Sequence, residues 1–338
     1  MAQRQVPPRR NRRRACGQVT RVLLFLLFIA ACFVAFTNGA NANFKGVASL
    51  YGSGTASLRT TTWWGTATTF AGAITALFAA RGLLAIFSGK GLVSDALTRS
   101  PNFVLAVALG AALTSFLATR LSFPVSTTHA LTGALVGAGL ASGDHTVHLA
   151  PLMKMFVQPL LLSPVLAIAV GVLVHFLLKG ARLLPDHRTR TLDTLHFLSG
   201  GAASFARGLN DTPKMAALLF TAQALDIRWG FLAVAVTMAA GGLLDARNVA
   251  ETLAKKVTDM NPGEGFAANV ATALLVNIAT FHALPVSTTH VSVGSLIGIG
   301  MVTRKAHWPL VGQIVLSWLI TLPFAAVLGA LIALGLRS

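Results

Sequence analysis

The 338-residue chain is 54% hydrophobic and only 11% charged, with a mean hydropathy of +0.69. Soluble domains carry about a quarter charged residues, so a soluble globular enzyme is excluded. At about 20 apolar residues per crossing, the chain can supply on the order of ten membrane segments.

The net charge of +17 has a local origin, because seven arginines fall within the first 21 residues: Arg4, Arg9, Arg10, Arg12, Arg13, Arg14 and Arg21. The other basic residues lie in short loops between apolar runs, as Lys and Arg do near the ends of membrane helices. No basic groove interleaved with aromatics surrounds the single tyrosine, Tyr51, and nucleic-acid binding is excluded. Cys16 and Cys32 can build neither a disulfide framework nor a zinc site.

In chain order, residues 1–18 form a basic N-terminal tail. Residues 19–37 are expected to be a first membrane helix, since the apolar run is long and no small-x-small cleavage site ends it. Further apolar runs cover 63–87 (interrupted by Arg81), 102–119, a Gly-rich 125–141 and 152–178. A polar connection, 179–194, follows, and then runs at 195–224, 229–244, 266–281, 286–302 and 309–336. These continuous runs predict helices, because membrane strands would alternate over about ten residues.

An internal repeat organises the chain. Phe-Pro-Val-Ser-Thr-Thr-His at 123–129 recurs as Leu-Pro-Val-Ser-Thr-Thr-His at 284–290, and 12 of 23 positions are identical between 118–140 and 279–301. A weaker pair precedes it: Gly39-Ala40-Asn41-Ala42-Asn43-Phe44-Lys45 and Gly208-Leu209-Asn210-Asp211-Thr212-Pro213-Lys214 share Gly-x-Asn-x-x-x-Lys. The order of motifs is the same in both copies, which makes 19–178 and 195–338 two transmembrane repeats. The fold class is therefore all-α and polytopic, with two homologous halves and helices broken at mid-membrane.

Matching polar, Gly/Pro-interrupted segments in two halves point to a transport site. A broken membrane helix leaves backbone N–H groups free, and at a helix N-terminus these form an anion site. Pro-x-Ser-Thr-Thr reads as the start of such a half-helix, with hydroxyls that cap it or donate to a ligand. Bonding back to the helix is the alternative for each hydroxyl. His129 and His290 are metal ligands, proton carriers or packing residues. Lys45 and Lys214, placed just after polar breaks, hold an oxyanion or snorkel to an interface. Asp211, the only carboxylate in either motif, is a candidate Na+ ligand or proton carrier. Arg81 and Arg207 lie within apolar stretches and are read as marking helix ends. Gly52-Ser53-Gly54-Thr55 lacks the phosphate-loop lysine, so transport draws on an ion gradient and not on nucleotide.

At these motifs the chain resembles the inorganic phosphate transporter (Pit) family, which also includes related sulfate permeases. Asn38-Gly39-Ala40-Asn41 and Gly208-Leu209-Asn210-Asp211 match its first signature, and 124–129 and 285–290 match its second. The resemblance implies inverted halves and symport of phosphate with Na+ or H+. It also implies a site lined by Asn41, Ser126, Thr127, Thr128, Asn210, Asp211, Ser287, Thr288 and Thr289. Ala42 departs from the pattern, standing where the family has Asp, which alters the coupling expected of the first half. The resemblance places the connecting loop inside and the N-terminus outside, whereas the arginine-rich tail argues for the inside. The repeat architecture takes precedence here.

The leading expectation is a cation-coupled phosphate symporter working by alternating access, in a bacterial inner membrane. Phosphate or sulfate, the lipid bilayer and a second copy in a homodimer are the expected partners, with no cofactor beyond the coupling ion. A sulfate permease and a passive anion channel are alternatives. An intramembrane hydrolase built on Ser126/His129 or Ser287/His290 would lack an acid to orient its base.

Overall fold

The structure, a computed structural model, describes residues 9–142, 147–185, 187–221 and 226–337, with side chains for 21–142, 147–185, 187–220 and 226–337. The start of the basic tail, Asp186 of the connecting loop and the end of the expected 195–224 run lie outside the described residues. Among the described residues every named element is a helix. Within lipid each backbone N–H and C=O needs an internal partner, and a helix provides it locally.

The first half contains α1 (Arg9–Ala42), a 3-10 turn at Asn43–Lys45, α2 (Ala48–Gly52), α3 (Leu58–Ala79), α4 (Arg81–Phe87) and α5 (Asp95–Thr98). It continues with α6 (Pro101–Arg120), α7 (Thr127–Ala141), α8 (Leu149–Leu152), a π-helical turn at Met153–Val157 and α9 (Gln158–Gly180). The second contains α10 (Arg190–Thr221), α11 (Ile227–Leu244), α12 (Arg247–Lys255), α13 (Pro262–Phe281), α14 (Thr288–Thr303) and α15 (Trp308–Gly335).

Six spans among the described residues are long and apolar enough to cross a membrane: Arg21–Lys45, Pro101–Arg120, Leu149–Gly180, Ile227–Leu244, Pro262–Phe281 and Trp308–Gly335. The expected run 63–87 is bent by 85° between α3 and α4 and is not one straight span. The surface is apolar along the outer helices, where Leu161, Leu173, Leu177, Leu319, Val327 and Leu331 are each more than half exposed. Polar groups are concentrated inside. This inversion of the soluble pattern makes the chain an integral multi-pass membrane protein.

One expectation needs correction. The segment 208–214 is not a break: α10 runs through it for 32 residues with Pro213 inside the helix, and only the first copy breaks, into the 3-10 turn at Asn43–Lys45. In addition, α12 is an amphipathic helix that hydropathy alone does not reveal, and it buries Val249, Ala250, Leu253 and Ala254.

The halves interlock. The half-helix α7 packs on α15 of the other half and α14 packs on α9, while α1 lies against α11 and α3 against α10. The repeated glycines permit this approach. A Cβ on Gly137 would come within 1.8 Å of the Ala326 carbonyl, and one on its counterpart Gly298 within 2.5 Å of the Ile168 carbonyl. Side-chain-free contact of this kind lets membrane helices associate without a hydrophobic driving force.

Candidate functional site

The site begins with how α6 and α13 end. The Phe123 N–H bonds the Ala118 carbonyl at 2.9 Å and the Leu284 N–H bonds the Ala279 carbonyl at 2.8 Å, each wrapping back around its helix terminus. Such a wrap needs one left-handed residue, supplied by Ser122 (φ 63°) and Ala283 (φ 54°). Pro124 and Pro285 then lack an N–H, and the chain stays extended into the serine that starts the next helix.

Ser126 Oγ accepts the backbone N–H of His129 at 3.2 Å, and Ser287 Oγ accepts that of His290 at 3.2 Å. Both serines are thus N-caps holding the third N–H of α7 and α14. The N–H groups of Thr127, Thr128, Thr288 and Thr289, the first two of each helix, have no intrahelical acceptor. The bond uses the histidine backbone and leaves the ring out of it, which is not the nucleophile–base contact of a hydrolase.

The two breaks clasp each other. Thr289 Oγ1 donates to the Val125 carbonyl at 2.7 Å, and its counterpart Thr128 Oγ1 donates to the Val286 carbonyl at 3.2 Å. Each carbonyl also accepts from the lysine of its own half, Lys45 Nζ to Val125 at 2.8 Å and Lys214 Nζ to Val286 at 2.9 Å. Lys45 and Lys214 are buried, at 4% and 1% exposure, so neither snorkels to an interface.

A carboxylate joins this cluster from α10. Asp211 Oδ1 accepts from Lys214 Nζ at 3.0 Å, and Oδ2 accepts from Asn38 Nδ2 at 3.3 Å and Thr288 Oγ1 at 3.2 Å. Arg207 Nε lies 3.7 Å from Oδ2, one helical turn back on the same face. The Arg207 guanidinium also donates to Asn38 Oδ1 at 2.6 Å and Thr69 Oγ1 at 3.0 Å, and Asn38 Nδ2 reaches Thr127 Oγ1 at 2.9 Å. The site therefore buries three cationic side chains, Lys45, Arg207 and Lys214, against the single carboxylate of Asp211. Burying a charge is costly unless it is paired, so an excess of two positive charges favours an anion.

The paired asparagines differ. Asn41 Nδ2 donates to Thr119 Oγ1 at 3.0 Å and the Phe123 carbonyl at 2.9 Å, and its Oδ1 accepts from Val125 N at 3.0 Å. Asn210 keeps only the bond to Thr280 Oγ1, at 2.7 Å, and its buried Oδ1 has no partner. In its place, Val286 N turns back to the Leu284 carbonyl at 2.8 Å.

His129 and His290 meet one another at the first turns of α7 and α14, with ring centroids 4.7 Å apart. His290 Nδ1 lies 3.0 Å from the Leu160 carbonyl, and Trp318 packs against its ring at 4.2 Å. Both rings line an apolar cavity of about 440 Å³ between α9, α14 and α15. Among the described residues no three His, Cys, Asp or Glu side chains gather as a metal site.

All the sequence-predicted residues except the histidine pair thus converge on the two breaks. Two participants were not assigned a role from sequence, Asn38 and Arg207. They occupy matching positions, each three residues before the repeated asparagine. The legible signal was the Arg207–Asp211 spacing of four, which places opposite charges on one helix face. Arg207 does not mark a helix end; it is 2% exposed in the middle of α10. Arg81 does, as the first, exposed residue of α4.

Comparison with known proteins matches residues 38–329 to the Phosphate transporter family. The chain belongs to that family. A probable low-affinity inorganic phosphate transporter of Rhizobium meliloti is 32% identical over 259 residues, covering 72% of this chain and 76% of the relative. One from Bacillus subtilis, of the same description, is 27% identical over 327 residues, covering 92% of this chain and 96% of the relative. A solved structure described as the sodium-dependent phosphate transporter superposes with a TM-score of 0.83 at 21% identity, over 94% of this chain and 99% of that one. The chain is a transporter and not an enzyme.

Proposed function

We propose that the chain moves inorganic phosphate across a bacterial inner membrane by cation-coupled symport, with Na+ or H+ as the coupling ion and the two halves, in opposite orientation, alternating access to one site. The observation that carries this reading is the buried surplus of cations beside two opposed half-helix N-termini. Phosphate offers four oxygens, and the donors left to meet them are the Thr127, Thr128, Thr288 and Thr289 amides, the Thr127 hydroxyl and the remaining N–H groups of Lys45, with the Lys214 charge beside them. These donors replace the water that a dehydrated oxyanion gives up. Asp211 orients Lys214, Asn38 and Thr288 and is the acceptor for a protonated phosphate oxygen, which sulfate at neutral pH does not have.

The test is uptake of labelled phosphate into proteoliposomes under separate inward Na+ and H+ gradients, with unlabelled sulfate as competitor. Uphill accumulation that sulfate leaves intact supports the reading. Efficient sulfate competition followed by sulfate uptake would move the chain to sulfate transport, and downhill flux alone would make it a channel.

A further inference from the structure

A basic cavity lies outside the transport site, where α3 begins and α11 ends. Arg59, in the first turn of α3, and Arg247, the first residue of α12, line one space of about 560 Å³ together with Trp63, Leu243 and Leu244. Among the described residues no carboxylate lines it. Arg59 makes no ion pair among those residues. Arg247 Nε reaches Glu251 Oε1 at 3.4 Å, an exposed pair that contributes little. The starts of α3 and α12 border the same space, so the helix dipoles add to the charge that the two guanidinium groups supply.

This cavity stands at the membrane boundary. The apolar span of α11 ends at Leu244, which is 78% exposed, and Trp63 beside it is 57% exposed. Tryptophan and arginine at the end of a span sit at headgroup level. Arg188 Nη2 donates to the Gly54 carbonyl at 3.3 Å, so α3 begins on the face that carries the connecting loop. A soluble anion would meet the arginines and leave the tryptophan and leucines uncovered. A phospholipid satisfies both, with a phosphodiester for the guanidinium forks and acyl chains for the apolar side. The cavity also borders what holds the first half-helix break. The Gly242 carbonyl in its wall accepts from Asn43 Nδ2 at 3.3 Å, and Asp245 pairs with Arg120, the last residue of α6, at 3.0 Å.

We propose that this cavity binds the headgroup of an anionic phospholipid, with Arg59 and Arg247 donating to its phosphate and its acyl chains lying over Trp63 and Leu244. A net negative headgroup is selected because two cations face it, and a zwitterionic lipid brings an ammonium of its own against them. The bound lipid fixes segment 242–247, and through it the 3-10 turn at Asn43–Lys45 and the end of α6. The site shares no residue with the transport site, and its occupancy does not depend on which anion is carried.

The experiment titrates phosphatidylglycerol into the purified full-length chain in a non-ionic detergent and follows the melting temperature, which rises with the occupancy of any ligand that binds only the folded state. Phosphatidylglycerol should raise it saturably, and phosphatidylcholine with the same acyl chains should not. In R59Q/R247Q the half-saturating phosphatidylglycerol fraction should rise at least about tenfold. R228Q, which removes an exposed arginine at the opposite end of α11, should respond as wild type. If the double variant is not monodisperse, R59Q and R247Q singly decide, each with a weakened response. Equal stabilisation by the two lipids would overturn the proposal, as would a double variant that responds as wild type or an R228Q that loses the response equally. Inorganic phosphate, added alone, should affect wild type and R59Q/R247Q alike. Stabilisation of the wild type only would make the cavity a site for soluble anions and overturn the lipid assignment.

Discussion

Replacing Asn41 with alanine should destabilise the protein considerably more than replacing Asn210, although the two residues occupy matching places in the repeat. Asn41 makes three hydrogen bonds, to Thr119 Oγ1, the Phe123 carbonyl and Val125 N. Side-chain bonds inside a membrane protein contribute about 0.6 kcal/mol each, so their direct loss is about 2 kcal/mol. Truncation also leaves Val125 N and the Phe123 carbonyl without their asparagine partner in a buried break, which adds about 1–3 kcal/mol for each group left unsatisfied. Asn210→Ala loses one bond, and Thr280 Oγ1 keeps its own bond to the Val276 carbonyl at 2.7 Å. The Val286 N–H keeps the Leu284 carbonyl, and the variant removes an oxygen that had no partner. The cavity left by the missing amide is common to both variants and cancels in the comparison. The difference should therefore be about 2 kcal/mol or more against Asn41→Ala. Thermal unfolding in detergent, followed by tryptophan fluorescence, measures it. Equal losses, or a larger loss for Asn210→Ala, would show that the asymmetry between the breaks does not contribute to stability.

Other outcomes follow from the same geometry. Asp211→Asn should abolish phosphate uptake and lower the melting temperature, because removing one partner of a buried pair costs about 3–5 kcal/mol and leaves three cations unopposed; a variant with wild-type uptake and melting temperature would remove Asp211 from the site. Gly137→Leu should prevent folding to a monodisperse species, since even a Cβ meets the Ala326 carbonyl at 1.8 Å, whereas Gly312→Ala faces open space and should chromatograph as wild type. Ser126→Ala should cost about 1 kcal/mol through loss of the α7 cap, readable as a melting shift that Ser126→Asn largely restores. Glu264→Ala removes both the capping-box bond to Asn261 N at 2.8 Å and the Lys305 ion pair at 2.8 Å, and should lower stability by about 1–2 kcal/mol with uptake per folded molecule retained.

Much of this site was legible because it is duplicated. One Ser-Thr-Thr in a membrane helix says little, as its hydroxyls usually bond back to their own helix. Two copies, each after a proline and each with an asparagine motif upstream, identified the breaks, the half-helices and the lysines. The roles within the motif were not legible. Ser126 and Ser287 cap their helices, and Thr128 and Thr289 reach across to the opposite break, yet the four are alike on paper. Arg207 escaped because a lone arginine in an apolar run resembles a helix end until its neighbours are known.

The sequence by itself determined that the chain is a helical membrane protein of two related halves. Lipid requires internally satisfied backbone, and few charges together with repeated Pro-Val-Ser-Thr-Thr-His leave little else to build. Tertiary structure decided which charges share a site. Asp211, Lys214 and Arg207 are neighbours along α10, but Asn38, Lys45, Thr69 and Thr288 arrive from four other segments. It also decided that 208–214 stays helical while 43–45 does not, because α10 is held along its length by α3 and α13. The surplus of buried positive charge belongs to that assembly: it depends on which side chains are removed from water together, and that is a property of packing.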